Sequence, residues 1–336
     1  MIYLFRTMAS TYKGIYQMCF DITFITESKR YKLLTVDEVE INKSVDTLAD
    51  TAVITLPEYI LNRVMEIENY IGRGSQVIIY LGYNGDLKEE FRGWVERLSV
   101  NDHSVKIMCE DDLFIFRKSV KNMELKPTNM KKIAQQLTAQ IDGGYTVNCD
   151  FDISYEKFVI HNATAYDVLN KLAEETKANI WLDTKNKVLH IHPPYLEKGG
   201  DVIYSMQRNI ESSNLEYKQA IDKKVEVTVE SIDKAGKVIQ KKVGTSGGDS
   251  VTLKVGNISE ASLDKIANAE LIKRTYDGYD GDFDAWLIPY VEPSWSAKII
   301  DEDYPDKTGK YYVVSVKTSF SSSGGKRTVT LGIKVS

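Results

Sequence analysis

Three consecutive segments read Gly74-Ser-Gln-Val-Ile-Ile-Tyr-Leu-Gly82, Glu90-Phe-Arg-Gly-Trp-Val-Glu-Arg-Leu-Ser99 and Ser104-Val-Lys-Ile-Met-Cys-Glu110. In each, apolar side chains alternate as a half-buried β-strand requires. The same order of strand, polar loop, strand, tight turn and strand returns in Ser294-Trp-Ser-Ala-Lys-Ile-Ile300, Lys310-Tyr-Tyr-Val-Val-Ser-Val-Lys-Thr-Ser319 and Arg327-Thr-Val-Thr-Leu-Gly332. Ile78 and Val95 are 17 positions apart, and so are Ile299 and Val316. A fold repeated within one chain usually builds symmetric surfaces, so the pattern predicts a component of an assembly.

The composition excludes several classes of protein. The 336 residues, 43% of them hydrophobic, suffice for two or three domains with cores of their own. A formal net charge of −5 without a basic run argues against nucleic acid as a partner. The unclustered Cys19, Cys109 and Cys149 are expected to be buried thiols in a protein made in a reducing cytosol. The chain has no stretch long enough for a signal peptide or a membrane-spanning segment.

Residues 1–118 are predicted to form a first β-barrel. Met18–Ile25, 36–41 and Thr51–Leu56 have the alternation of strands, and Pro57 ends the third. A helical turn over the barrel end is expected at 60–71, where three apolar side chains share a helical face.

Residues 119–200 switch to helical periodicity, which predicts a small α/β domain. Thr128 is expected to cap a helix that runs to about Ile141, and Thr164 to cap a second helix. Segments 178–183 and 187–192 are expected to form a hairpin.

Residues 201–336 are predicted to form a second β-barrel with a helical insertion around 257–285. Ser259 or Ser262 is expected to cap a helix that ends at Arg274. The strand 225–229 aligns with Thr51–Leu56 and is expected to take the same place in the second barrel. The predicted fold class is therefore mainly β with an α/β insert, in which two homologous small β-barrels flank a small α/β domain and a helix interrupts the second barrel.

Two motifs suggest ion binding without specifying it. His190 and His192 lie two apart on a predicted strand, as His-x-His metal pairs do, but no third His or Cys accompanies them. Asp277-Gly-Tyr-Asp-Gly-Asp-Phe-Asp284 lacks the ligand spacing and the closing Glu of an EF-hand. We expect the two histidines to lie on the surface and the acidic stretch to be a solvated loop. Ion binding at either place is left open.

No motif predicts catalysis. Glu110 with Asp111, and Asp301-Glu-Asp303, stand at strand ends beside turns, where acidic side chains are ordinarily exposed. Gly244-Thr-Ser-Gly-Gly248 and Ser323-Gly-Gly-Lys-Arg-Thr328 match neither a nucleophile elbow nor a phosphate loop. The scattered tryptophans are expected to be core or interface anchors: Trp94, Trp181, Trp286 and Trp295. We therefore predict no catalytic, cofactor-binding or metal-binding residues and no enzyme activity.

Taken in order, several segments resemble the baseplate or tail hub proteins of contractile-tailed bacteriophages, the late control protein D family. They are Asp50-Thr-Ala-Val-Ile-Thr-Leu-Pro57 with the 74–82 segment, Phe91-Arg-Gly-Trp-Val95 with Cys109-Glu-Asp-Asp112, Asn162-Ala-Thr-Ala-Tyr-Asp-Val-Leu169, and Lys307-Thr-Gly-Lys-Tyr-Tyr-Val-Val-Ser-Val316. The resemblance covers most of the chain and rests on the order and spacing of these segments.

The resemblance implies a homotrimer whose six barrels form a pseudo-six-fold ring, similar to the hub portion of type VI secretion spike proteins. The implied partners are the tail tube protein or a tube-initiating ring and a central spike, with baseplate wedge and tape measure proteins as further candidates. It also implies a late structural protein that adapts the tail tube of a contractile injection system. Such a protein is located in the baseplate of the virion tail and is assembled in the host cytoplasm. No catalytic residues are shared in that family. Because the chain lacks the lysozyme-like and needle domains of the largest hubs, the spike is expected to be a separate polypeptide.

A second interpretation stays open: a cell-wall-directed hydrolase or glycan-binding module of a phage or secretion apparatus. Stoichiometry separates the two, because a hub must be trimeric whereas a hydrolase need not be.

Overall fold

The computed structural model describes residues 16–27, 29–57, 70–100, 104–195, 199–219, 224–232 and 236–335. Within these ranges the protein is mainly β, with short helices and three separate hydrophobic cores. The mainly β fold class predicted from the sequence is confirmed.

The first part of the chain forms an antiparallel sheet that encloses one of these cores. Its elements are β1 (Met18–Ile25), β2 (Arg30–Lys32), β3 (Glu38–Ser44), β4 (Thr51–Leu56), β5 (Gln76–Tyr83), β6 (Asp86–Val100), β7 (Val105–Glu110) and the one-turn helix α1 (Leu113–Phe116). The strands pair in the order β3-β4-β7-β6-β5-β1-β2. β1 and β4 match their predicted bounds, whereas β3 begins at Glu38. The helical turn expected at 60–71 lies outside the described residues, except for its last two positions.

The middle part is a small α/β unit. Its elements are β8 (Met123–Leu125), β9 (Thr128–Asn129), α2 (Met130–Thr138), β10 (Thr146–Cys149), β11 (Ser154–Tyr155), β12 (Phe158–Ile160), α3 (Ala165–Thr176), β13 (Asn179–Asp183) and β14 (Val188–His192). β13 and β14 form the predicted hairpin, and β10 joins β14 in parallel to complete a three-stranded sheet.

The two helix starts in this part show which residue caps each helix. Thr164 caps α3 as predicted, because its hydroxyl accepts the Asp167 N–H at 3.1 Å. The N-cap predicted for α2, Thr128, was wrong by one residue, because the side chain of Asn129 accepts the Lys132 N–H at 2.9 Å. Thr128 instead pairs with Tyr155 across β9 and β11. α2 also ends at Thr138, before Ile141.

The last part of the chain contains the second barrel and one long helix. Its elements are β15 (Asp201–Ser205), β16 (Ser212–Ser213), β17 (Glu216–Lys218), β18 (Val225–Ile232), β19 (Val238–Gly244), β20 (Asp249–Lys254), α4 (Glu260–Arg274), β21 (Gly278–Trp286), β22 (Ser296–Ile300), a 3₁₀ turn (Pro305–Lys307), β23 (Gly309–Ser321) and β24 (Gly324–Lys334). The structure places the N-cap of α4 at Ser259 and its last residue at Arg274, as predicted.

The placement predicted for 225–229 was wrong. β18 pairs with β19 and β20 in a separate three-stranded sheet, whereas β4 lies inside the first barrel between β3 and β7. Val227 and Val229 pack with Leu263 and Ile266 of α4 in the core of the middle part. Apolar alternation fits any half-buried sheet and does not specify the partner strand, so the alignment of two such segments is not decisive. The segments that form β18, β19, β20 and α4 therefore interrupt the second barrel, whereas β21, which lies in the predicted 257–285 insertion, is a barrel strand.

The repeated three-strand units have the same connectivity. β5-β6-β7 and β22-β23-β24 are both antiparallel meanders of consecutive strands. Their registers differ, because Ile78 is opposite Arg92, 14 residues later, whereas Ile299 is opposite Gly309, ten residues later. The shared 17-residue spacing therefore does not correspond to a shared strand pairing.

Two expectations from composition can be compared with the structure. No helix in the described part of the chain is long and apolar enough to cross a bilayer. All three cysteines are free thiols, and Cys109 is buried. Cys19 and Cys149 are only half-buried, so the expectation of buried thiols is correct for one of the three.

Candidate functional site

The seam between the two barrels contains a buried ion pair. β3 pairs antiparallel with β23, and Thr318 of β23 is in turn opposite Arg327 of β24. The side chain of Arg327 faces that of Glu90 from β6, with 1% and 2% exposure. Nη2 of Arg327 lies 2.7 Å from Oε1 of Glu90, and Nη1 lies 3.0 Å from Oε2. This bidentate pair connects the first barrel to the second.

A β-bulge directs Glu90 toward the seam. Between β5 and β6, Ile79 is opposite Phe91 while Tyr80 is opposite Glu89, which leaves Glu90 as the extra residue. Bulges redirect a side chain in this way. Arg327 points inward without a bulge, because it lies on the same buried face of β24 as Val329 and Leu331.

The two terminal nitrogens of Arg327 make further hydrogen bonds, whereas its buried Nε has no hydrogen-bond partner among the described residues. Its guanidinium donates to Oγ1 of Thr318 and to the carbonyl oxygen of Leu287, both at 3.1 Å. The ring of Tyr290 lies 5.2 Å from the guanidinium carbon. Burial alone would lower the pKa of Arg327, but the Glu90 carboxylate outweighs it and the pKa is raised. The guanidinium therefore stays charged inside the protein.

A second set of charged groups joins the first barrel to the middle part. The prediction that Glu110 and Asp111 are surface residues was wrong, because they are 3% and 9% exposed, and Asp112 is 1% exposed. Glu110 accepts a bidentate contact from Arg117, with Nη2 to Oε1 at 2.7 Å. The Asp112 carboxylate accepts from three donors: Trp94 Nε1 at 2.8 Å, Tyr145 OH at 2.6 Å and Lys187 Nζ at 2.7 Å. Glu110 is therefore paired within the first part, and Asp112 connects the first part to Tyr145 and Lys187 of the middle part.

Asp111 is held by backbone donors. Its carboxylate accepts the N–H of Leu113 at 2.9 Å and that of Asp50 at 3.2 Å. Burial, with the neighbouring Asp50 charge as the second cause, raises its pKa well above the ordinary range. A raised carboxyl pKa can mark a general acid. Here both oxygens of Asp111 already bind the backbone, which supports a structural role.

The second predicted acidic pair is also organised around the backbone. Asp301 is 7% exposed, accepts the Tyr279 hydroxyl at 2.6 Å and accepts the N–H groups of Asp303 and Tyr304. The Tyr279 hydrogen bond is the main cause that lowers the pKa of Asp301. Asp303 is exposed, as the sequence predicted, whereas the same prediction was wrong for the buried Asp301.

The two histidines are half-buried and in contact, so their predicted surface position was wrong. Trp181, His190 and Asn148 lie opposite one another on β13, β14 and β10. The rings of Trp181 and His190 stack with centroids 3.9 Å apart. Nδ1 of His190 is 3.2 Å from Nε2 of His192, whose Nδ1 is 2.6 Å from Oδ1 of Asp150. The described residues contain no cluster of three or more His, Cys, Asp or Glu side chains able to hold a metal ion.

The acidic stretch 277–284 is largely a strand rather than a solvated loop. Asp280 pairs with Lys218, and Asp282 accepts a hydrogen bond from Asn214 at 3.2 Å. Asp284 accepts from the hydroxyls of Ser212 and Thr328 and pairs with Lys326. Burial would raise the pKa of Asp284, but these three contacts lower it overall. The alternating carboxylates therefore tie β21 to its neighbours.

Reading the sequence missed both the seam and the buried carboxylates at 110–112, and only Arg327 left a signal in the sequence. Arg327 occupies an inward position of a strand whose other inward residues are apolar, which indicates a buried charge in need of a partner. Glu90 could not be found in this way, because only the bulge brings it inward.

Solved structures of tail proteins share this fold. A tail protein from Neisseria meningitidis superposes with a TM-score of 0.65 at 14% identity, covering 95% of this chain and 97% of its own. The 43 kDa tail protein of prophage MuSo2 from Shewanella oneidensis superposes with a TM-score of 0.59 at 15% identity, covering 93% and 96%. No protein-family model and no curated protein matches the sequence.

A secretion protein belongs to the same structural group. A component of the Escherichia coli type VI secretion system, described as similar in structure to T4 bacteriophage tail proteins, superposes with a TM-score of 0.61 at 11% identity. The match covers 94% of this chain and 77% of that one. Over nearly its whole length, the chain therefore has the fold of these tail proteins and of this component of a type VI secretion system.

Proposed function

We propose that this chain is a structural tail hub that trimerises into a pseudo-six-fold ring joining the tail tube to a central spike. The observation that carries the proposal is the seam, where the β3–β23 pairing and the Arg327–Glu90 pair join two barrels into one continuous sheet. Three such chains supply six barrels, which suits a six-fold tube on one face and a three-fold spike on the other. Similarity to tail proteins along nearly the entire chain supports this role.

The proposed partners follow from that position. They are further copies of this chain, the tail tube protein or a tube-initiating ring, and a central spike, with baseplate wedge and tape measure proteins at the periphery. The proposed location is the baseplate of a virion tail, assembled in the host cytoplasm. The neighbours from phage tails and from type VI secretion support a contractile injection system.

We propose a division into a first barrel (1–118), a central α/β part (119–200) and a second barrel (201–336). The packing of β18 and α4 changes this division, because both elements lie in the hydrophobic core of the central part. The second barrel is then built from β15–β17 and β21–β24.

The proposed role is not enzymatic. The buried carboxylates at 110–112 bind donors within the chain, which leaves them poorly placed to act on a substrate. A cleft of about 560 Å³ lies where the three parts meet, but two of its acidic residues pair with basic ones: Asp46 with Lys273 at 3.6 Å and Glu270 with Arg274 at 2.7 Å. The alternative, a cell-wall hydrolase or glycan-binding module, has no comparable support.

The proposal is tested by the mass of the purified protein. We expect sedimentation equilibrium or native mass spectrometry to give three copies, alone at assembly concentrations or together with the spike protein. A monomer under both conditions, or a hexamer, would contradict the hub. The E90Q variant adds a matched test, because a weakened seam should reduce the trimer while an exposed change such as K88A should not.

A further inference from the structure

We propose that His190 and His192 form a binding site for one divalent transition-metal ion of the Zn²⁺, Ni²⁺ or Cu²⁺ class. The two side chains lie on the face of β14 opposite the fully buried Leu189 and Ile191. The site belongs to the central α/β part and is independent of the hub proposal.

The separation of the two nitrogens matches a shared metal. Nδ1 of His190 and Nε2 of His192 are 3.2 Å apart. Two imidazole nitrogens bound to one tetrahedral Zn²⁺ at about 2.0–2.1 Å lie roughly 3.3 Å from each other. The spacing therefore suits a shared ion, which both rings could bind after a rotation that directs their lone pairs toward it.

Asp150 prepares His192 for this role. Its Oδ1 lies 2.6 Å from Nδ1 of His192, so with the ring proton of His192 on Nδ1 its Nε2 accepts the Nδ1–H of His190, and a bound metal ion would replace that shared proton. Carboxylates in this outer position fix the tautomer and raise the basicity of metal-bound histidines. The His192 side chain is 13% exposed, which limits competition from water.

Trp181 and Asn148 complete the surroundings. Trp181 stacks flat on His190, with an angle of 2° between the rings, and so restricts the orientation of the imidazole. The Asn148 amide lies 3.5 Å from Nδ1 of His190, and a rotation of that amide would present its oxygen as a third donor. A set of two imidazoles, an amide oxygen and water suits Zn²⁺, Ni²⁺ or Cu²⁺, whereas Mg²⁺ and Ca²⁺ prefer oxygen donors alone.

The test is isothermal titration calorimetry of the full, tag-free chain with NiCl₂ or ZnCl₂ near pH 7.5. We expect one ion per chain. H190A and H192A should each abolish binding, and D150N should weaken it by about 10–100-fold, as loss of an outer carboxylate does. H161A is the matched control, because His161 is exposed and contacts only its neighbour Asn162 in the described structure.

A second measurement on the unmodified protein covers the case in which a variant fails to fold. Long-range ¹H–¹⁵N spectra should show Zn²⁺ shifting the ring nitrogens of just two of the four histidines. Lack of binding by the wild-type chain up to millimolar Zn²⁺ and Ni²⁺ would overturn the proposal. Undiminished binding by a folded H190A/H192A double variant would do the same.

Discussion

At the scale of single residues, Glu90 and Arg327 form an ion pair whose side chains are 2% and 1% exposed. The E90Q substitution keeps the shape of the side chain but leaves the Arg327 guanidinium without a counter-charge at 1% exposure. Removing one partner of a buried ion pair costs about 3–5 kcal/mol. We expect E90Q to lower the free energy of unfolding by about that amount in a urea titration.

The control for this substitution lies on the same strand. Lys88 pairs with Asp86 at 3.0 Å, but the side chains are 54% and 74% exposed. K88A should therefore change the free energy of unfolding by less than about 1 kcal/mol. The E90L/R327M double variant should recover part of the loss, because it buries no uncompensated charge. Equal stability of E90Q and K88A would show that the pair does not hold the seam.

At the scale of elements, the start of α3 depends on a reciprocal cap. The Thr164 hydroxyl accepts the Asp167 N–H, and the Asp167 carboxylate accepts the Thr164 N–H at 2.9 Å. We expect T164A to lower the free energy of unfolding by about 1 kcal/mol. S259A is the matched control, since Ser259 occupies the N-cap of α4 without a side-chain capping bond. Comparable losses in the two variants would contradict the capping assignment.

The same cap predicts a pH dependence. The Thr164 N–H and then its hydroxyl lower the pKa of Asp167, so the folded state favours the charged carboxylate. Stability from a lowered carboxyl pKa is present above the unfolded value of about 3.9 and is lost as the pH falls through the folded value. T164A removes the hydroxyl and keeps the N–H, so the stability that the hydroxyl contributes should be largest near neutral pH and become smaller below about pH 4. Thermal unfolding of wild type and T164A across this pH range measures it.

At the scale of the whole molecule, the distribution of charged groups predicts the absence of lytic activity. Glu110, Asp111 and Asp112 bind donors from within the chain, and Asp301 stabilises its own turn. A hydrolase needs titratable groups that face a substrate cleft. We expect no loss of turbidity when the pure protein is added to purified peptidoglycan, with lysozyme as the positive control. Clearing that disappears after one carboxylate substitution would favour the hydrolase.

Local patterns in the sequence accounted for much of the fold. Periodicity of two located β1 and β4 at their bounds, and the shift to helical periodicity located α3 with its Thr164 cap. The candidate sites were predicted less well, because burial at 110–112 depends on donors far along the chain. Tyr145 and Lys187 reach Asp112 from positions 33 and 75 residues away.

The sequence by itself determined β1, β4, the Thr164 cap and the presence of two similar three-strand units, since each depends on residues close together in the chain. Only the tertiary structure decided which strands pair. It placed β18 in a separate sheet with α4, joined β3 to β23 and gave the two units different registers. The physical reason is that backbone hydrogen bonding between strands is the same for every sequence. The choice of partner follows from which apolar faces and which buried charges, such as Glu90 and Arg327, are satisfied together.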